Sequence, residues 1–476
     1  MNDVRPMNSR RLRWMTVVTV LLVATGCATI PHDGWTRPEQ KRYFELAAVG
    51  SPEELTAYEA LPDSAAREDF WRTFWKRKDP TPTTERNERY EEHLARVGFA
   101  DENFPASSGW WDDRGKIYLK FGDPDDREWN PMGSAPSQYM CESDPTSETG
   151  SAMVSPSRGW ERWGYSRLGH QFTFVQQLTG YKLAKSLYSA QTFSSSIQAS
   201  AVSALNELDR SVLQQLPAES YRHEYGQPLD FPFGVARFGD SLGAEVWVHY
   251  SVPLAGLDYD STGTARLTRR IVVFDRQMRE AARDDRTLTP PDMGRRIPDA
   301  QAIDLVRLRL PPGDYTLAIS LEDTRAGKTG IYEYPFLVLD YLQGAKETSD
   351  LLLAREIVRD TAASKFRKGG YRIVPQPSHA FRAGASLFLY YEVYNLKPGD
   401  DGRCRAEVRY YLVSRRDKTA RGTAPAVLTT DRPRLEQAAA LALGGLPAGD
   451  YHAVVTARDQ VSGKERTLIA PFRITE

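Results

Sequence analysis

Cysteine is nearly absent from this chain: Cys27, Cys141 and Cys404 are the three in 476 residues. So few thiols exclude a disulfide-framed fold, and Cys141 and Cys404, falling in different predicted segments, are expected to stay free rather than to bridge. Histidine is sparse and scattered, with no H-x-x-x-H pair and no cysteine near enough to complete a zinc site. Neither a nucleophile elbow nor a glycine-rich phosphate loop occurs. There is no charge excess of one sign, since 62 basic residues face 63 acidic ones. Nucleic acid is therefore not an expected partner, because its binding proteins present a basic face to the phosphates. Nor is there an apolar run of about 20 residues, the length that spans a bilayer. No metal and no cofactor are expected.

What is present begins at the amino end. Arg10, Arg11 and Arg13 precede a short apolar run, 14–24, which reads as a secretory signal. It closes on Ala24-Thr25-Gly26-Cys27, which resembles a bacterial lipobox, where small residues precede a cysteine that becomes the lipidated first residue. Ala24 stands where leucine is usual. Ala28 follows, with no aspartate to resemble an inner-membrane retention signal, so the expected address is the outer membrane, facing the periplasm. Residues 27–37 then form a tether.

Three helices are predicted over 39–49, 52–60 and 65–78, the third with Phe70, Trp71, Phe74 and Trp75 in one broad apolar stripe. Pro80 and Pro82 stop it. A fourth helix is predicted to run to about Val97, with Tyr90, Leu94 and Val97 on one face. After it, SGWWDDRGKIYLKFGDPDD concentrates the strongest local signals: a turn at Gly109, two tryptophans, paired aspartates beside Arg114, and a run in which Ile117, Leu119 and Phe121 alternate with Lys116, Tyr118 and Lys120. That alternation predicts a half-buried strand. The polar run from about 126 to 158 reads as a loop. ERWGY and HQFTFVQQLTGYKL read as a hairpin completing the same sheet, and 195–216 as a helix.

The stretch Gly109, Trp110, Trp111, Asp112, Asp113 resembles the signature of the GWxTD domain family, with Asp112 in place of its threonine. The preceding FWKRKDPTPTTERNERYEEHLARVGFADENF and the later SDLLLAREIV and YYEVYNL are similar to further parts of that family. The resemblance implies a fold module and names no reaction.

The second half contains a repeat. Leu310 and Leu446, Asp314 and Asp450, Tyr315 and Tyr451, Asp323 and Asp459, Gly327 and Gly463, Pro335 and Pro471 all lie 136 residues apart, and AEVWVHYSV aligns with ASLFLYYEV at an offset of 141. One β module is therefore carried twice. In each copy a Leu-Pro-x-Gly-Asp turn delivers a tyrosine to a strand, which resembles the tyrosine corner of immunoglobulin-like and fibronectin-like sandwiches, its hydroxyl bonding backbone across the corner. Leu387, Leu389, Tyr391 and Val393, like Val246, Val248, Tyr250 and Val252, are predicted to face the sandwich core. The opposite row, Phe388, Tyr390, Glu392 and Tyr394, is too aromatic for a solvent face. Its expected cover is the neighbouring module, a helix around 352–358, or another protein anchored on Tyr390 and Tyr394.

The expected fold is thus an α+β N-terminal domain followed by two all-β immunoglobulin-like sandwiches: signal 1–26, tether 27–37, GWxTD-type domain 38–216, linker 217–232, first module 233–342, connecting segment 343–364, second module 365–476. The candidate binding residues are Trp110, Trp111, Asp113, Arg114, Tyr390 and Tyr394, with Cys27 as lipidation site. Trp111 is the tryptophan expected to be exposed. Asp112, Asp113, Asp123, Asp125 and Asp126 are read as turn residues, with Asp113 paired to Arg114 or Arg127. Two readings of function stay open: a non-enzymatic binding or scaffolding lipoprotein with an envelope protein partner, or an envelope enzyme or carbohydrate-binding protein using the aspartates and tryptophans of the signature. A filled, ion-paired turn favours the first and a deep pocket with convergent carboxylates the second.

Overall fold

The computed structural model describes residues 34–476 apart from 108–109, 132–138, 141–158, 184, 187–220, 242, 291–299, 342–343, 345–346 and 361. Cys27, Gly109, Cys141 and the 195–216 helix lie outside the described residues, so the expectations placed on them stand as they were. The chain divides into two compact units, one of residues 1–68 and 96–220, the other of 69–95 and 221–476.

In the first unit α1 (Arg37–Val49) starts from a capping box in which the Thr36 amide donates to Glu39 Oε2 at 2.7 Å. α2 (Pro52–Glu59) repeats the device with Ser51 and Glu54 and places proline where its missing N–H costs nothing. α3 (Ser64–Arg77) and α4 (Glu88–Asn103) follow, and their residues 69–77 and 88–95 fall in the second unit. The α3 stripe is core as expected, with Trp71, Phe74 and Trp75 buried. Of the face predicted on α4, Val97 is buried and Tyr90 lies 5.0 Å from the Trp75 ring, but Leu94 is 47% exposed, and Arg89, His93 and Ala100 are buried in addition. Polar residues that found buried partners had disguised that stripe.

The predicted strand from Ile117 to Phe121 is a helix, α5 (Asp113–Phe121). Period-two alternation is outweighed here by the ends: Asp112 caps the first turn by accepting from Arg114 N at 2.9 Å, and Gly122, at φ +73°, ends the last. Ile117, Tyr118, Leu119 and Phe121 are all buried, a helix covered on most of its circumference. The antiparallel sheet of this unit instead runs Asp126–Asn130, Trp160–Tyr165, His170–Gln177, Gly180–Leu183 in spatial order. The predicted hairpin is its centre.

The second unit is a helical segment and two β-sandwiches. The segment 69–95 lies on the outer face of the first sandwich, where Thr83 Oγ1 meets Ser320 Oγ at 2.8 Å and Lys76 Nζ donates to Met278 O at 3.2 Å. Among the described residues the first sandwich packs a five-stranded sheet, whose middle strand is Gly313–Asp323, on a three-stranded sheet centred on Gly243–Pro253. Val246, Val248, Tyr250 and Val252 meet Ile271, Val273, Leu317 and Ile319 in one core. In the second sandwich Leu387, Leu389, Tyr391 and Val393 meet Val408, Ala453, Val455 and Phe472.

The repeat is structural down to single bonds. Strands Gly313–Asp323 and Gly449–Asp459 keep the 136-residue offset end to end. Tyr315 Oη donates to Pro311 O at 3.0 Å, and Tyr451 Oη to Pro447 O at 2.9 Å. Asp323 and Asp459, both fully buried, each pin the loop that precedes a neighbouring strand, accepting from Asp258 N at 2.8 Å and Lys397 N at 3.0 Å.

The 352–358 segment, predicted as a helix, is a strand, Leu352–Arg359, lying between Tyr371–Pro375 and Ser386–Val393 in the second sandwich. The outer faces of the two sandwiches then close on each other. Phe238, Trp247 and Leu305 of the first pack with Leu352, Ala354, Ile373 and Tyr390 of the second. This corrects the placement of Tyr390 and Tyr394 as anchors for another protein: they are 0% and 7% exposed and belong to the internal seam. Tyr394 Oη accepts from Gly239 N across the seam at 2.7 Å and donates to Glu392 Oε2 at 2.6 Å. Glu392 also accepts from Tyr390 Oη at 2.9 Å and Arg434 at 2.8 Å, while Lys368 reaches from Glu392 to Glu245 of the first sandwich. Burial beside Glu392 pushes both tyrosine hydroxyls well above their ordinary pKa.

Candidate functional site at the signature turn

Trp111 is 4% exposed, so the expectation that it is the open tryptophan is corrected. Its Nε1 donates to Asp101 Oδ1 at 2.8 Å, and its backbone forms a bridge with Pro105. Gly115 fits beneath it, since a Cβ there would sit 2.5 Å from the Cβ of Trp111. Trp110 is the half-buried one, with the Arg37 guanidinium 5.1 Å and the Lys41 ammonium 5.6 Å from its ring centre.

Asp112, only 2% exposed, is the pivot. As the cap of α5 it accepts from Arg114 N at 2.9 Å and Gly115 N at 3.4 Å. It also receives the Arg114 guanidinium at 2.7 Å and the Tyr181 amide at 3.1 Å. Aspartate is among the residues that cap a helix well, its side-chain oxygen taking up the free amides of the first turn. Arg114 extends on to Glu161 Oε1 at 2.8 Å, and Glu161 takes Arg127 at 3.0 Å and the Trp163 indole at 3.0 Å on its other oxygen. The guanidinium carbon of Arg114 stands 3.7 Å from the centre of the Tyr181 ring.

Asp113 was expected to pair with Arg114 or Arg127; it pairs instead with Lys116 at 2.9 Å and accepts from Leu183 N at 2.9 Å. Burial by itself would raise its carboxyl pKa, but Lys116 and the Leu183 amide outweigh burial and hold it below the ordinary carboxylate value. Asp125 is a turn residue, accepting from Ser166 N at 2.6 Å.

Trp110, Trp111, Asp113 and Arg114 are thus gathered at one turn, whereas Tyr390 and Tyr394 belong to the seam of the other unit. Sequence reasoning missed Glu161, Tyr181, Gly180 and Asp101. For Glu161 a signal was there: it shares a strand face with Trp163 and Tyr165, both buried, and a carboxylate on such a face requires a cation.

The chemistry open to this turn is narrow. Asp112 and Glu161 accept from the surrounding donors on both oxygens, and two clefts in the second unit, of about 550 and 250 Å³, are lined by other residues, Arg77, Met278 and Phe336 in one and Thr81, His223 and Arg270 in the other. Among the described residues no group of three or more His, Cys, Asp or Glu side chains is placed to hold a metal ion.

No family model matches the chain, and no curated protein matches it. Among solved structures, a red sea bream transglutaminase aligns over 64% of this chain and 37% of its own length, at 10% identity and a TM-score of 0.18, too low a similarity to carry an argument about fold or activity.

Proposed function

We propose that the chain is an outer-membrane lipoprotein of GWxTD type, anchored through Cys27 and acting as a non-enzymatic binding or scaffolding component in the periplasm. The observation that carries the non-enzymatic part of this reading is the saturation of the carboxylates gathered at the turn. A general acid or nucleophile needs an oxygen directed at a substrate. Asp112 and Glu161 direct theirs at Arg114, Arg127, Trp163 and backbone amides. The sandwiches are read as immunoglobulin-like, supported by the same tyrosine corner in both copies. Such a fold carries no chemistry of its own and serves many binding roles.

The test is isolation of the full-length chain from envelope fractions, beside Cys27→Ser. Lipid labelling and outer-membrane fractionation lost in Cys27→Ser, with a discrete set of envelope proteins retained by the anchored form, is the expected result. Unchanged fractionation of Cys27→Ser, or turnover of envelope polymers by the purified chain abolished in Asp112→Asn, would overturn it.

A further inference from the structure

The signature turn does more than cap a helix, because it grips an extended piece of chain by several independent contacts. Strand Gly180–Leu183 is the edge of the small sheet, paired on one side with His170–Gln177. On its open side the alternate amides are met by side chains in place of another strand: Tyr181 N by Asp112 Oδ2 at 3.1 Å and Leu183 N by Asp113 Oδ2 at 2.9 Å. Just before it, Thr179 O accepts from Ser107 N at 3.4 Å. The Tyr181 ring lies under Arg114, whose guanidinium is fixed by Asp112 and Glu161. Gly180 is required twice over: its φ is +125°, and a Cβ would lie 2.9 Å from the Cβ of Asp112.

These are the elements by which domains bind extended peptides at a sheet edge: acceptors at the spacing of alternate N–H groups, and a pocket that reads one side chain. Consecutive aspartates supply the acceptors, and a pre-oriented arginine supplies the aromatic reader. The occupant is short. It has four residues, all half-buried, and follows a turn whose Leu178 is 85% exposed. Short edge strands of this kind come from the low end of local stability.

We propose that the Asp112–Asp113–Arg114 turn is a docking site for an extended polypeptide presenting Gly-Tyr, filled here by the chain's own residues 180–183, and that a partner strand exchanges with this segment. The proposal rests on the reading of the chain as a binding component and gives that reading a place and a partner chemistry.

The probe is a fluorescein-labelled peptide with the sequence of residues 176–183, QQLTGYKL, titrated with the full chain in detergent and followed by polarisation. Gly180→Ala sets a Cβ against that of Asp112 and is expected to displace the internal segment, so that this variant binds the peptide at least tenfold more tightly than the unaltered chain. Adding Arg114→Lys, which keeps the charge and loses the planar stack, is expected to return binding to the weak level. Equal binding by Gly180→Ala and the unaltered chain would overturn the proposal. Should Gly180→Ala not fold, amide hydrogen exchange on the unaltered chain decides. Tyr181 and Leu183 must exchange at least tenfold faster than the hydrogen-bonded amides of His170–Gln177, and equal rates would mean that the segment leaves only when the sheet unfolds. The assay needs neither anchoring nor an envelope partner, so its failure leaves the lipoprotein reading intact.

Discussion

Lowering the pH should loosen the second unit through one histidine. His249 lies on the outer face of the three-stranded sheet, 2% exposed, where Gly234 opposite it leaves room for the ring and its Nδ1 has no hydrogen-bond partner among the described residues. Burial, with a smaller contribution from nearby His379, depresses its pKa from 6.5 to about 3. The native state therefore holds the neutral ring at pH values where the unfolded chain binds a proton. Stability is unaffected above pH 6.5 and falls as pH drops from there toward 3. At pH 5, about one and a half pH units below the ordinary value, the loss is about 2 kcal/mol, at about 1.4 kcal/mol per unit. Urea unfolding followed by tryptophan fluorescence at pH 7.5 and 5.0, on the unaltered chain and on His249→Gln, isolates this contribution, since the other titrating groups remain in both proteins. The drop in stability between the two pH values should be smaller in His249→Gln by about 2 kcal/mol. Equal drops in the two proteins would refute the argument that this ring is buried neutral.

Three further outcomes follow from the packing. Tyr315→Phe and Tyr451→Phe should each cost about 1 kcal/mol in urea unfolding, because each removes one hydroxyl bonded to a proline carbonyl; a cost confined to one of them would contradict the equivalence of the copies. Tyr390→Ala with Tyr394→Ala should destabilise by at least about 4 kcal/mol, because two buried rings and their bonds to Glu392 are lost; a melting temperature near that of the unaltered chain would show the seam to be open. A fragment starting at 347 should unfold cooperatively, whereas one starting at 365 should not, because Leu352–Arg359 lies between two strands of its sheet; cooperative melting of the shorter fragment would refute that.

Much of the architecture was legible because its signals are local and redundant. The double copy could be read from a constant offset, and the corner tyrosines from a Leu-Pro-x-Gly-Asp turn that leaves the following aromatic one place to go. What misled was pattern read without its ends. Lys116 to Phe121 alternates like a strand, yet a cap at Asp112 and a left-handed glycine at 122 close it into a helix. Leu352–Arg359 carries long side chains that suit a helix, and only the wall of apolar residues it joins makes it a strand. At the turn, Asp113 and Arg114 were visible as charges, but their partners Leu183 and Glu161 come from distant positions, and no local pattern names the pairing.

The seam between the sandwiches has a consequence for how the second unit holds together. Each copy contributes the same sheet to it, the one holding Gly243–Pro253 in the first and Ser386–Val393 in the second, and Phe238 meets Tyr390 there with ring centres 5.7 Å apart. The residues that meet there are not duplicates of one another, since at the 141-residue offset Tyr390 falls on His249 and Trp247 on Phe388. Because one chain carries both faces, their association is intramolecular and does not depend on protein concentration. Glu245 of the first sandwich and Glu392 of the second share Lys368, so the seam holds one orientation of two unlike halves.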